Sequence, residues 1–327
     1  MKRRLGVFCL ILLLSVLALA GCQPQAPVEE AVTIRMGALT GPTAMGMAYL
    51  MEQDETGDTA NDYDFTLAGS ADVLTPLLIQ GELDMAAIPA NLAAVLYQRT
   101  EGALQVVAVN TLGVLYIVEM GDTVQSVADL AGKTIYATGK GSVPEYTLRS
   151  ILESQGLNPD TDVDIQWKSE PAEVVAQLAQ GGGVAMLPQP YVSAAQLQLG
   201  NSLRQALSLT EVWSSQTEDS QLITGVLVAQ RSFLESHPEA VARFLEEYHA
   251  SMDYVNNNIP EAAQLMEKFE ITKASVAERA IPACNISYLD GTNMKTALSG
   301  YLEVLYAQNP QAVGGALPDD AFYYLAK

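Results

Sequence analysis

Histidine is nearly missing from this 327-residue chain: His237 and His249 are the only two, both within or beside one long helical stretch. A zinc-capturing protein needs several histidines and carboxylates together, and serine catalysis would have to use one of these two. No Gly-x-Ser-x-Gly elbow is present. Cysteine is as scarce, with Cys9, Cys22 and Cys284 the full set. Cations are few: 17 Lys and Arg face 38 Asp and Glu, a formal charge of −21. Such a surface repels nucleic-acid phosphates and anionic headgroups, which excludes a nucleic-acid role. It does not exclude an anionic ligand, because helix N-termini and one or two cations can set the field of a pocket. Long polar tracts are missing too, so beyond a short linker near the start the chain is globular.

What is there begins with "MKRRLGVFCLILLLSVLALAGC". Lys2, Arg3 and Arg4 precede an apolar run from Leu5 to Ala20, the pattern of a secretory signal, short and wrongly flanked for a membrane-spanning helix. Its end, Leu17 to Cys22, resembles the bacterial lipobox, in which small residues precede a cysteine that is acylated and becomes the new N-terminus. Residues 1–22 are therefore expected to be a lipoprotein signal with Cys22 the lipidated residue, and residues 23–30 a polar, Pro-containing tether. Losing Lys2, Arg3 and Arg4 takes the charge from −21 to −24. With Cys9 removed and Cys22 acylated, Cys284 is alone, so no intrachain disulfide is expected and Cys284 reads as a buried small apolar residue.

The remaining length suits two lobes with real cores. Strand patterns at Val32–Leu39, 64–68 and "DMAAIPA" alternate with helical ones at Pro42–Glu52, Ala71–Gln80 and Asn91–Arg99, and "LQVVAVNTLGVLYIVEM" holds two further strands. A second round follows through "TIYA", "SVPEYTLRSILESQGL", "VDIQWKS", "PAEVVAQLAQGGG" and "VAMLPQP". The alternation predicts an α/β fold with mixed, mostly parallel sheets flanked by helices. "LIQGELDMAAIPANLAA" and "LAQGGGVAMLPQPYVSAA" echo one another, which suggests two similarly built lobes. After Ser220 one strand, Leu222–Ala229, is followed only by helical patterns, as if the chain returned to complete the first lobe. The expected division is lobe I at 31–115 plus 222–327 and lobe II at 116–221, with "YIVEM" and "QLITG" as the crossings.

In open α/β sheets ligands bind beyond the carboxyl ends of strands, where loops enter helices. "LTGPTAMG" is such a junction and offers Thr40, Gly41 and Thr43. The same design recurs at Ser70, at Asn91, at Thr138, Gly139, Lys140 and Ser142, and at Gln189 and Tyr191, with Thr224 on the return strand. Any one of these could be a plain helix cap; their recurrence in two facing lobes makes them candidate ligand contacts. Tyr116, Tyr136, Tyr146, Tyr191 and Trp213 fall near the expected cleft, where one or two could stack on a ring. "GKT" at 132–134 is not a Walker loop, because the position that needs glycine is Val127.

"MGALTGPTAMGMAYLM", "QGELDMAAIPANLAAVL", "SVADLAGKTIYATGKGSVPEYTLRSIL", "LPQPYVSAA" and "TGVLVAQRSFLESHPEAVARFLEEY", behind a lipobox, resemble the substrate-binding proteins of ABC importers in the nitrate, sulfonate, taurine and thiamine-pyrimidine-precursor family. The resemblance implies a two-lobe, periplasmic-binding-protein-like fold (type II) with the ligand cleft between lobes. It also implies capture of a small organic or anionic solute by closure, without catalysis or cofactor, and delivery to a membrane permease with its ATPase from the outer face of a membrane. Two departures stand out. The second-lobe "G-x-x-D-A" of many members is here Gly181-Gly182-Gly183-Val184-Ala185, and the "E-P" that often follows is Gln189-Pro190. Loss of acid there favours a neutral or anionic ligand over a cationic one. An enzyme on the same scaffold, or a sensor that presents its ligand to a receptor, are the alternatives.

Overall fold

The computed structural model describes residues 31–216 and 220–325. The expected signal, the lipidation site Cys22 and the tether lie outside the described residues.

The first run of elements is β1 (Thr33–Leu39), α1 (Pro42–Met45), α2 (Ala48–Thr56), β2 (Asp62–Ala68), α3 (Ala71–Gln80), β3 (Met85–Pro89), α4 (Ala90–Arg99) and β4 (Leu104–Leu112). The second is β5 (Leu115–Met120), β6 (Thr134–Ala137), α5 (Val143–Ser154), β7 (Asp164–Trp167), α6 (Pro171–Gly181), β8 (Gly183–Pro188), α7 (Tyr191–Leu199), β9 (Arg204–Ser208) and α8 (Leu209–Ser214). The chain then continues with β10 (Ile223–Gln230), α9 (Arg231–Ser236), α10 (Pro238–Asn257), α11 (Ile259–Lys268), α12 (Ala274–Ala280), β11 (Ile286–Leu289) and α13 (Gly291–Gln308).

Two mixed sheets result, a six-stranded one ordered β11-β4-β10-β3-β1-β2 and a five-stranded one ordered β7-β6-β8-β5-β9. Parallel strand pairing joins β2-β1-β3 and β7-β6-β8, where helices supply the crossovers, and a single parallel bridge links Val106 to Tyr323. The parallel share is smaller than the sequence pattern suggests, because β4, β10 and β11, and likewise β5 and β9, add antiparallel partners. The echoed segments hold corresponding places: β3 lies between β1 and β10, and β8 between β6 and β5. Both strands are almost wholly buried, which explains their continuous apolar runs.

Three expectations need correction. "YIVEM" is not a crossing but part of β5, which pairs with β8 and β9; the chain changes sheet at Gly113–Val114. "QLITG" likewise runs into β10 at Ile223. The return strand is not followed only by helices, since β11 adds an edge to β4.

The apolar helix after β1 is also two helices. It breaks at Gly46–Met47, and Ser251 on α10 bridges the break, donating to the Gly46 carbonyl at 2.7 Å and accepting from Leu50 N at 2.9 Å. Thr43, Ala44, Met45, Met47, Ala48 and Leu50 are buried, so this stretch carries little polar covering because little of it meets water.

Candidate functional site

At the carboxyl ends of β1, β3 and β8 the loops open onto two neighbouring cavities. The larger, about 550 Å³, is walled by Thr40, Gly41 and Pro42 after β1, by Pro188–Tyr191 and Ala194 from the second sheet, and by Ile271–Lys273 and Val276 around the start of α12. The smaller, about 280 Å³, is walled by Pro89 and Asn91 at the start of α4 and by Ser142–Pro144 at the start of α5. Val114, Pro188 and Thr224 line both, so the two abut where the chain passes between sheets.

Each wall follows from local sequence. Gly41 has a φ of 116°, a backbone angle few other residues adopt, and Pro42 begins α1 without a hydrogen-bond donor to lose. Gln189 is buried to 3% exposure; its Oε1 accepts from Ser193 N at 3.2 Å, while its amide nitrogen makes no hydrogen bond among the described residues. The Thr224 hydroxyl is likewise unpartnered there. Both are donors beside open space.

The lining is otherwise apolar or neutral. Among the described residues, no aspartate, glutamate, arginine or histidine borders either cavity, and Lys273 is the one residue of fixed charge that does. In a chain with 38 acidic residues, that sparing of acid marks the local chemistry.

Of the candidates read from sequence, Thr40, Gly41, Gln189, Tyr191 and Thr224 meet at the larger cavity, and Asn91, Ser142 and Thr224 at the smaller. The others line neither. Thr43 is buried and donates to the Leu39 carbonyl at 2.9 Å, closing the turn after β1. Ser70 is exposed and accepts from Asp72 N at 3.1 Å as the cap of α3. Thr138, Gly139 and Lys140 belong to the loop before α5, which binds itself: Glu145 accepts from Gly141 N at 2.6 Å and Ser142 donates to the Gly139 carbonyl at 2.6 Å.

Of the aromatic candidates only Tyr191 lines either of these two cavities. Tyr116 is buried and donates to the Ala283 carbonyl, Tyr136 lies under Lys168, Tyr146 accepts from Asn309 Nδ2 at 2.7 Å, and Trp213 packs edge-on against Tyr301. Cys284 is fully buried, and burial pushes its thiol up to about 12. No group of potential metal ligands occurs among the described residues.

The missing second-lobe acid has a different meaning from the one its position in sequence suggested. Its first-lobe counterpart, Asp84, accepts from the backbone and guanidinium of Arg35, at the start of β3. The corresponding place, Val184, lies at the start of β8, while the cavity is at Pro188, roughly 13 Å along the strand at about 3.3 Å per residue. That acid ties strands together and cannot report on ligand charge. The replacement that does stand at the cavity is Gln189.

Reading by sequence missed Ile271, Thr272, Lys273 and Val276. Their signal, Thr-Lys ahead of an alanine-rich helix, is the loop-to-helix pattern used elsewhere; only the return of α11 and α12 over the cleft distinguishes it.

The profile described as "ABC transporter, phosphonate, periplasmic substrate-binding protein" matches residues 48–280. Among solved structures, an ABC transporter protein from Parabacteroides distasonis is 24% identical with a TM-score of 0.76, covering 91% of this chain and 100% of its own. The periplasmic aliphatic sulphonate binding protein SsuA from Escherichia coli is 19% identical, with a TM-score of 0.71 and coverage of 91% and 94%. The periplasmic nitrate-binding protein NrtA from Synechocystis is 16% identical, with a TM-score of 0.54 and coverage of 81% and 75%. No curated protein matches the chain.

Proposed function

Starting from the fact that the chain belongs to the family of periplasmic substrate-binding proteins of phosphonate ABC transporters, we propose that it captures a small organic anion in the cleft between its lobes and delivers it to a membrane permease with its ATPase. With the crossing at Gly113–Val114, the first lobe takes residues 31–113 and 222–325 and the second 114–216; closure brings the helix starts of both onto the ligand. Cys22 carries lipid and holds the protein at the outer face of a membrane. Among the described residues no helix is long and apolar enough to span one.

The lining of the two cavities is what supports this ligand class. Apolar walls at Val114, Pro188, Pro190 and Val276 suit a carbon skeleton, and the donors of Gln189 and Thr224 suit an oxyanion. Size counts against a bare inorganic ion, because about 550 Å³ lies within the roughly 300–1,000 Å³ typical of sites for organic molecules. The absence of acid among the described lining residues counts against an ammonium-bearing solute such as taurine, whose cation would find no counter-charge among them. Alkyl sulfonates and phosphonates meet both conditions. Both histidines lie away from the two cavities, so nothing there favours an enzyme on this scaffold.

A thermal-shift series with 1-butanesulfonate, phenylphosphonate, nitrate, taurine, a thiamine pyrimidine and riboflavin tests the assignment. An organic anion at about 100 times its dissociation constant stabilises the fold by about 2.7 kcal/mol and is recovered intact. Stabilisation by taurine or nitrate with none from the organic anions rejects the ligand class, and conversion of a bound compound rejects the non-enzymatic role.

A further inference from the structure

We propose that Lys273 is the residue by which the cleft selects an anionic head group, an inference that rests on the solute-binding role above. Lys273 immediately precedes α12 and, with Thr272 and Val276, forms the wall of the larger cavity facing Gln189 and Tyr191. α12 packs on α7, which carries Tyr191 and Ala194, so this wall meets the second lobe directly. A ligand between them touches Lys273 from one side and the Gln189 amide from the other.

Most lysines of the described chain are committed elsewhere. Lys133 donates to Thr123, Lys168 sits over Tyr136, Lys268 pairs with Glu52 and Glu55, and Lys295 pairs with Asp320. Lys140 is uncommitted but lines neither cavity. Lys273 makes no ion pair or side-chain hydrogen bond among the described residues, and it stands at the cavity.

Glu267 on α11 is engaged: it accepts from Ala274 N at 3.0 Å, the first amide of α12. This capping takes up a free donor of the helix start and keeps the acid on the backbone. A head group arriving here finds a cation whose charge is not already neutralised by a salt bridge. For an anion approaching a molecule of charge −21, a local cation of this kind offsets the long-range repulsion.

Lysine also fits the place. Its flexible stem and compact charge let it follow a head group as the lobes close, without the fixed fork geometry of arginine. The side chain is exposed, so the contact is partly screened until the ligand covers it.

Calorimetric titration of the full-length chain, its Lys273→Gln and its Lys273→Arg forms with 1-butanesulfonate and the uncharged 1-butanesulfonamide tests the assignment. Lys273→Gln is expected to weaken the sulfonate roughly five- to tenfold, the size of one partly screened charged hydrogen bond, and to leave the sulfonamide unchanged. Lys273→Arg restores most of the loss. Melting temperatures without ligand should coincide, since the side chain holds nothing in place. Equal sulfonate affinity in wild type and Lys273→Gln overturns the role of Lys273 while leaving a sulfonate receptor standing. Wild-type preference for the sulfonamide overturns anion selection while leaving solute binding intact. Failure of both probes on wild type overturns the organic-anion assignment and this inference with it.

Discussion

Glu119 is 2% exposed and answers every demand of its burial. Its carboxylate accepts from Thr123 N at 2.9 Å on both oxygens, from Val124 N at 3.1 Å and from the Thr123 hydroxyl, and Arg204 pairs with it at 2.8 Å. Burial alone would push its pKa up; the hydrogen bonds from Thr123 and Val124, together with Arg204, outweigh it and hold the group at about 2. Because the folded value lies below the unfolded one, the carboxylate stabilises the fold above about pH 4.5, and that contribution is lost as pH falls toward 2. The shift corresponds to about 3 kcal/mol. Acid unfolding of Glu119→Gln should therefore show a shallower loss of stability between about pH 4.5 and 2, starting from a less stable protein at neutral pH. Identical slopes in both proteins would mean that other carboxylates carry the acid sensitivity. Nothing in the sequence marks Glu119 for this part. Thr123 and Val124 are close in the chain, but Arg204 arrives through the pairing of β9 with β5. Lys273 is the same case at the cleft: its residue type is plain, and the space it borders is made by distant segments.

Elements were legible where their own ends specify them. α3 runs from Ala71 to Gln80 because Ser70 caps its start and Gly81, at a φ of 71°, turns the chain at its end; all three signals are local. The break between α1 and α2 was not legible, since Ser251, which bridges it, lies some 200 residues away in the chain. β9 and β11 were missed for a related reason. They are edge strands of five and four residues whose largely half-buried patterns are weak, and partners elsewhere decide that they are strands at all. Capping also separates structural from binding serines. Ser70→Ala should lower stability by about 1 kcal/mol and leave affinity for 1-butanesulfonate unchanged, as measured by denaturant unfolding and calorimetry. Ser142 borders the smaller cavity instead, so a weakened affinity on replacing Ser70 would show that α3 reaches the ligand in a way its exposed start does not suggest.

On the scale of the whole molecule, fold class and several residues that line the two cavities could be read because the two sheets repeat one plan, while the net charge works against the anionic ligand proposed for the cleft. A field from −21 charges extends about one Debye length, ~10 Å at 0.1 M salt, and repels an anion before any contact with Lys273 or Gln189. Screening weakens this repulsion during approach, and it also weakens the charged contact once formed. The two effects act on different rate constants. The association rate of 1-butanesulfonate is therefore expected to rise by about threefold between about 10 mM and about 0.3 M sodium chloride, and its dissociation rate to rise as well, leaving the equilibrium constant less sensitive than either. Stopped-flow competition against a fluorescent sulfonate reads both rates. The uncharged sulfonamide should show neither trend. An association rate that falls with salt would place the acidic residues away from the approach to the cleft, with the encounter governed by the field of Lys273 and not by that of the molecule. In Lys273→Gln the rise in association with salt should persist and the rise in dissociation should vanish, because only the second depends on the contact that the substitution removes.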